Sequence, residues 1–100
     1  MSNNHYGSIR AVEWHDGALK LLDQRVLPHR REYLVIEDAA STAQAITDMA
    51  VRGAPAIGVT AAYGVVLASR GCYARSPATW KQDIEADLEL LARSRPTAVN

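Results

Sequence analysis

The protein has 100 residues, a length that fits one small domain or a part of a larger one. Its composition, 48% hydrophobic and 22% charged, is typical of a folded globular protein and excludes intrinsic disorder. Eleven Lys and Arg residues balance eleven Asp and Glu residues, so the net charge disfavours nucleic acid or an anionic membrane as a partner.

Residues 1–37 predict three β-strands. The Asp16–Gly17 pair is a strong hairpin turn signal. Strand-forming residues lie on both sides of this turn and again after the break at Pro28, in residues 9–14, 18–22 and 32–36. Because the connections are short, we predict an antiparallel β-meander.

After residue 37 the hydrophobic spacing becomes that of helices. The first helix has two candidate N-caps: Asp38, or Ser41 in a capping box over residues 41–44, which would start the helix slightly later. We predict that it ends near residue 51. Four of its residues fall on one apolar face: Ala45, Ile46, Met49 and Ala50.

The second predicted helix covers about residues 55–69 and is rich in small residues, with Pro55 suited to its first position. Gly58 and Gly64 each cost about 1 kcal/mol against alanine inside a helix. Such a cost is tolerable where another backbone comes close, so we predict a buried central helix. Gly71 is its predicted C-cap, and residues 72–75 are predicted to form a loop.

A third helix is predicted from Ser76–Pro77, an N-cap and first-turn pair, to about residue 94. Its apolar stripe is predicted to face the core and consists of Trp80, Ile84, Leu88 and Leu91. Residues 96–100 are typical of the first turn of another helix, which predicts a truncated protein.

The strongest local feature for function is the run Arg-Gly-Ala-Pro-Ala-Ile-Gly at residues 52–58. A glycine-bearing turn at a helix N-terminus presents free backbone N–H groups, and the helix dipole and Arg52 add positive charge. This pattern predicts an anion cradle that suits phosphate. The alternative is a tight helix–helix connection with Arg52 as a solvated surface residue, and geometry alone favours this alternative.

Arg95 is a second candidate for anion binding because it precedes the helix start marked by Pro96. Two arginines at two helix N-termini could converge on one phosphoryl or polyol group. Alternatively, Arg93 and Arg95 lie near the C-terminal end of the preceding helix, where cations are favourable. Spacing alone favours this alternative.

The remaining polar candidates favour ordinary structural roles. Cys72 lies in a predicted loop without a neighbouring histidine, which disfavours a nucleophile. Asp23 and Gln24 are expected to satisfy backbone or side-chain partners rather than to transfer protons. The one cysteine and three histidines lack the spacing of metal ligands.

Targeting signals are missing from the sequence. The first ten residues lack the apolar core of a signal peptide, and the apolar-rich residues 54–69 are too few to span a bilayer. We therefore expect a cytoplasmic protein without a membrane partner.

Four motifs follow one another along the chain. Trp14 precedes Leu-Leu-Asp-Gln-Arg-Val-Leu-Pro at residues 21–28, and Ala45–Ile46 precede Met-Ala-Val-Arg-Gly-Ala-Pro-Ala-Ile-Gly-Val at residues 49–59. Arg-Pro-Thr-Ala-Val-Asn occupies residues 95–100. In this order the motifs resemble the N-terminal part of the methylthioribose-1-phosphate isomerase family over nearly all of the chain. The combination of residues 52–58 with residues 95–100 is highly specific.

The resemblance implies an aldose–ketose isomerase of methionine salvage that converts 5-methylthioribose 1-phosphate to 5-methylthioribulose 1-phosphate. It implies an α+β N-terminal domain, with a β-meander in residues 1–37 and a helical bundle in residues 38–100, followed by a C-terminal Rossmann-like α/β domain. A homodimer is expected, without a metal or organic cofactor. The family residues that bind the sugar phosphate match Arg52, Gly53, Ala54 and Arg95, which favours the anion cradle.

The resemblance places the family's catalytic cysteine and aspartate beyond Asn100. Cys72 does not occupy the position of that cysteine in the family pattern. We therefore expect no catalytic residue in this chain, which would hold only part of a substrate site.

Two related functions stay open as alternatives. An isomerase of ribose 1,5-bisphosphate would accept a phosphate in place of the methylthio group. A regulatory subunit of the translation-initiation exchange factor would bind and assemble without catalysis. The intact run at residues 52–58 favours a sugar-phosphate ligand over a purely structural role, and the pocket that receives C5 would separate the two isomerases.

Overall fold

The structure, a computed structural model, describes residues 11–94, which begin with a three-stranded sheet. The strands are β1 (Val12–His15), β2 (Ala18–Leu22) and β3 (Tyr33–Ile36). They lie in the order β1-β2-β3, and both neighbouring pairs are antiparallel. The predicted meander is therefore confirmed, although residues 9 and 10 of its first strand lie outside the described residues.

The turn between β1 and β2 has the predicted two-residue form. His15 pairs with Ala18, and the residues between them, Asp16 and Gly17, have φ angles of +53° and +77°. Positive φ at both positions matches the right-handed twist of the flanking strands, and aspartate and glycine tolerate it better than other residues. Local turn chemistry thus sets the register of the hairpin.

Three helices follow the sheet: α1 (Ala39–Thr47), α2 (Ala54–Arg75) and α3 (Trp80–Ser94). Each helix packs on the other two, and α2 also contacts β1 and β2. Trp14 of β1 stacks on Tyr63 of α2, with the ring centroids 5.1 Å apart. This stacking holds α2 against the sheet, and the α+β architecture is confirmed.

The first helix begins at the earlier of the two predicted caps and ends before the predicted residue. The Asp38 carboxylate accepts a hydrogen bond from the Ser41 N–H at 2.7 Å, so the capping box starting at Ser41 is wrong. Met49, predicted on the buried face, lies beyond the end of α1 with φ of +63° and is 52% exposed. A left-handed residue interrupts the helical hydrogen bonding and turns Ala50 into the core.

Substituting Asp38 by alanine should lower the free energy of unfolding by about 0.5–2 kcal/mol, because α1 loses its N-terminal hydrogen-bond acceptor. The matched control is Ser41→Ala, which keeps the backbone N–H that Asp38 binds and should change stability much less. Denaturant unfolding of both variants measures the difference. Equal losses in the two variants would contradict this assignment of the cap.

The second helix runs past its predicted end. Gly71 and residues 72–75, predicted as a C-cap and a loop, belong to α2, and Ser76 is the C-cap. The side chain of Cys72 is fully buried against α1 and α3, beside Ala43 and Ile84. Burial of this turn against neighbouring helices therefore outweighs the local tendency of glycine to end a helix.

The prediction of a glycine-dependent close approach is correct for one glycine and wrong for the other. A Cβ atom on Gly64 would lie 2.8 Å from Thr42 Cγ2 and 3.0 Å from Leu91 Cδ2, so α2 meets α1 and α3 there. A Cβ atom on Gly58 would meet nothing within 4 Å. Nor is α2 buried on all sides, since Val59 and Val66 are exposed.

The third helix begins at Trp80, later than predicted. Ser76, the predicted N-cap, instead ends α2 by donating its N–H to the Cys72 carbonyl at 2.9 Å. The apolar stripe of α3 does face the core, with Ile84 and Leu91 buried, but Leu88 is 39% exposed. The predicted turn over residues 96–100 lies outside the described residues.

Candidate functional site

The N-terminus of α2 is open to solvent. Gly53 is its N-cap, with φ of +92°, and no side chain caps the helix. The Ile57 N–H makes the first helical bond, to the Gly53 carbonyl at 2.9 Å. The N–H groups of Ala54 and Ala56 precede that bond, while Pro55 has none, so this 22-residue helix presents backbone donors and the positive end of its dipole. Such a terminus favours an anion.

Arg52 adds a full positive charge next to these donors. It is exposed, as are Gly53 and Ala54. Within residues 11–94 the ion pairs occupy other basic residues, namely His15, Arg25, Arg30 and Arg93. The planar guanidinium of Arg52 is therefore available for bidentate binding of an oxyanion.

The segment before Arg52 is fixed by a Schellman motif at the end of α1. The Ala50 N–H donates to the Ala45 carbonyl at 3.0 Å, and the Met49 N–H donates to the Ile46 carbonyl at 3.1 Å. This motif places Met49 in the left-handed region, at a cost of about 1 kcal/mol for a residue other than glycine. The cost is offset because the next two residues, Ala50 and Val51, join the core cluster.

An ion pair between a buried carboxylate, Asp23, and a half-exposed arginine, Arg25, lies beside this segment. Asp23 caps the 3₁₀ turn Gln24–Val26, and its carboxylate accepts hydrogen bonds from Arg25 N at 3.0 Å, Nε at 2.9 Å and Nη2 at 2.9 Å. The side-chain bonds to Arg25 hold the pKa of Asp23 below its usual value, against the opposing effect of burial. The expectation that Asp23 satisfies local partners is therefore confirmed.

Three of the four predicted binding residues lie at the exposed start of α2. Arg52, Gly53 and Ala54 are consecutive at the start of α2, whereas Arg95 lies outside the described residues. The sequence did not reveal that the turn of Asp23 and Arg25 contacts Asp48 and Ala50, in the segment before this site. In the sequence this turn is marked by an acidic residue, Asp23, two positions before a basic residue, Arg25. That spacing does not show which distant segment the turn contacts.

Metal-ligand clusters and membrane-spanning helices are both absent from residues 11–94. No three His, Cys, Asp or Glu side chains in this part of the chain gather closely enough to hold a metal ion. None of its helices combines the length and the apolar character needed to cross a bilayer.

Curated relatives match the whole chain. It is 54% identical over 103 residues to the methylthioribose-1-phosphate isomerase of Methylococcus capsulatus, a match that covers 100% of this chain and 29% of the relative. The isomerase of Alkalilimnicola ehrlichii is 57% identical over 93 residues, or 93% of this chain and 27% of the relative. No protein-family model matches the chain. The chain thus spans somewhat more than a quarter of these relatives.

Solved structures share the fold of the chain. The crystal structure of 5-methylthioribose 1-phosphate isomerase from Pyrococcus horikoshii has a TM-score of 0.80 and 35% identity. That of translation initiation factor eIF-2B, subunit delta, from A. fulgidus has a TM-score of 0.80 and 40% identity. Each match covers 91% of this chain and 26% of the other. The chain is therefore homologous to one part of the methylthioribose-1-phosphate isomerases, and a part of an eIF-2B subunit shares its fold.

Proposed function

We propose that the chain is the N-terminal, substrate-binding part of an isomerase that converts 5-methylthioribose 1-phosphate to 5-methylthioribulose 1-phosphate in methionine salvage. The observation that carries the proposal is the uncapped, exposed N-terminus of α2 beside Arg52. It lies in a chain 54–57% identical to curated proteins named for this isomerase. Those relatives favour the isomerase over a regulatory subunit.

In this proposal Arg52, Gly53 and Ala54 bind the phosphate of the substrate. The guanidinium of Arg52 donates two hydrogen bonds to phosphoryl oxygens, and the backbone N–H groups at the start of α2 bind a third. Arg95 is proposed as a further contact to the sugar phosphate. These residues bind and orient, and none of them transfers a proton.

Orientation is a large part of this chemistry. The isomerisation moves hydrogen between C1 and C2, and the phosphate on C1 prevents the ring from opening simply to a free aldehyde. Holding the phosphate and hydroxyl groups in line with the reacting carbons lowers the barrier by several kcal/mol. A cysteine and an aspartate outside this chain would then act as acid and base, in a C-terminal Rossmann-like domain.

The outer face of α2 supports a site completed by further protein. Residues 54–69 contain no charged residue, and the exposed large apolar side chains of this helix are Val59, Val65, Val66 and Tyr73. Helices that are apolar on every face are typically buried in the complete protein. We propose that the C-terminal domain covers this face in a cytoplasmic homodimer, which encloses the phosphate next to α2.

Turnover assays test the proposal directly. The complete protein, comprising this chain and its C-terminal domain, should isomerise 5-methylthioribose 1-phosphate in preference to ribose 1,5-bisphosphate. The 100-residue chain alone should show no turnover, because the acid and base are missing. A preference for the bisphosphate would reassign the substrate, and turnover by the chain alone would contradict the division of roles.

A further inference from the structure

The ion pair of Asp23 and Arg25 contains two side-chain hydrogen bonds in addition to the backbone bond that caps the turn. The Asp23 side chain is only 5% exposed, yet both carboxylate oxygens are bonded by Arg25. Burying a carboxylate is costly unless it is paired and hydrogen-bonded, and Arg25, whose side chain is 44% exposed, supplies those bonds. The turn that carries this pair also contacts a segment distant in the chain.

The turn that carries the pair is joined to both ends of the segment leading to Arg52. The Gln24 N–H donates to the Ala50 carbonyl at 2.9 Å, two residues before Arg52. Arg25 Nη1 lies 3.9 Å from Asp48 Oδ2, at the C-cap of α1. The two contacts of the turn therefore lie on either side of Met49, the residue in the left-handed region.

The contacts with Asp48 and Ala50 matter because the backbone between them adopts an unfavourable conformation. Met49, with φ of +63°, persists in the left-handed region only while surrounding contacts hold it there. Its side chain is half-exposed and supplies little of that hold. The Schellman hydrogen bonds and the burial of Ala50 and Val51 supply part of that hold, and the contacts of the turn to Asp48 and Ala50 add to it from outside the segment.

We propose that the ion pair of Asp23 and Arg25 positions Arg52 and the N–H groups of Gly53 and Ala54 for the phosphate of the substrate. Asp23 and Arg25 are positioning residues that act through residues 48–51 and do not touch the ligand. This inference rests on the proposed function, because it assigns a role at the same phosphate site.

The test is a double-mutant cycle on the complete protein, with affinity for inorganic phosphate measured by titration calorimetry. Asp23→Asn should weaken phosphate binding by about 10- to 100-fold, the size of the loss when a hydrogen bond to a charged group is no longer made. In an Arg52→Ala background, Asp23→Asn should weaken binding less than it does in the unaltered protein, because the side chain of Arg52, one of the groups that it positions, is gone. Losses that multiply in the double variant would overturn the proposal.

Two further variants keep the test decisive. Arg25→Lys keeps the charge but loses the two-pronged contact with Asp23, so its phosphate affinity should also fall if Asp23→Asn does not fold. The matched control is Glu32→Gln, which removes an exposed ion pair with Arg30 (3.0 Å) from the same β2–β3 connection and should leave affinity unchanged. An unchanged affinity in Arg25→Lys, or an equal loss in Glu32→Gln, would overturn the positioning role.

The outcomes separate this inference from the function on which it rests. Phosphate binding that depends on Asp23, without turnover of 5-methylthioribose 1-phosphate, would contradict the isomerase and keep the positioning role. Turnover of 5-methylthioribose 1-phosphate, together with a phosphate affinity that does not depend on Asp23, would support the isomerase and contradict the positioning role. If the unaltered protein did not bind phosphate, both would be wrong.

Discussion

Substituting Arg52 by alanine in the complete protein should lower kcat/KM for the proposed isomerisation by a factor equivalent to about 2–5 kcal/mol. The arginine lies exposed beside the uncapped start of α2, and the ion pairs of residues 11–94 leave its guanidinium available to the substrate phosphate. Removing it leaves the phosphate with backbone donors alone. Steady-state kinetics on the purified variant measure the loss.

Related variants separate charge from geometry. Arg52→Lys keeps the charge but loses the planar fork, so it should recover only part of the activity. Gly53→Val places a β-branched residue at φ of +92° and crowds the N–H groups, so activity should fall more than the melting temperature. Arg93→Ala, which removes an exposed arginine from α3, is the control and should leave kcat/KM unchanged. If Arg52→Ala stayed within about twofold of the unaltered enzyme, the anion cradle would be wrong.

Replacing Gly64 by valine should lower the free energy of unfolding by about 3 kcal/mol, at the upper end of typical overpacking costs. The new Cβ would lie 2.8 Å from Thr42 Cγ2. Thr42 is fully buried, and its hydroxyl donates to the Asp38 carbonyl at 2.8 Å, so its side chain is not free to rotate away. The substitution therefore forces α1 and α2 apart.

Gly58 provides the matched control on the same helix. Gly58→Ala meets no atom within 4 Å and raises the helical propensity, so it should increase the free energy of unfolding by up to about 1 kcal/mol. Denaturant unfolding of the two variants should give changes of opposite sign. A stabilised Gly64→Val variant would show that the contact between α1 and α2 adjusts without cost.

Features set by local chemistry were predictable from the sequence, and features set by distant contacts were not. The Asp16–Gly17 turn follows from the conformational preferences of those two residues. The stop signal of Gly71 is equally local, but burial of Cys72 against two other helices overrides it. Likewise, no local preference places Met49 in the left-handed region, which the burial of Ala50 makes favourable.

The same distinction applies to the candidate site. Arg52, Gly53 and Ala54 stand together in the sequence, where glycine followed by proline predicts a helix start. Their link to Asp23 and Arg25 depends on one backbone hydrogen bond between Gln24 and Ala50, far apart in the chain. Periodicity and turn signals carry no information on such a pairing.

The single cysteine of these 100 residues allows the packing of the three helices to be followed by thiol alkylation. Cys72 is inaccessible to solvent, and its Sγ atom lies 3.3 Å from Arg75 Nη2 and 3.7 Å from Asp87 Oδ2. A thiol reagent can reach it only while α2 separates from α1 or α3, so the alkylation rate reports how often such an opening occurs. Cys72 is thus a natural probe of local unfolding, and its alkylation can be followed without an engineered label.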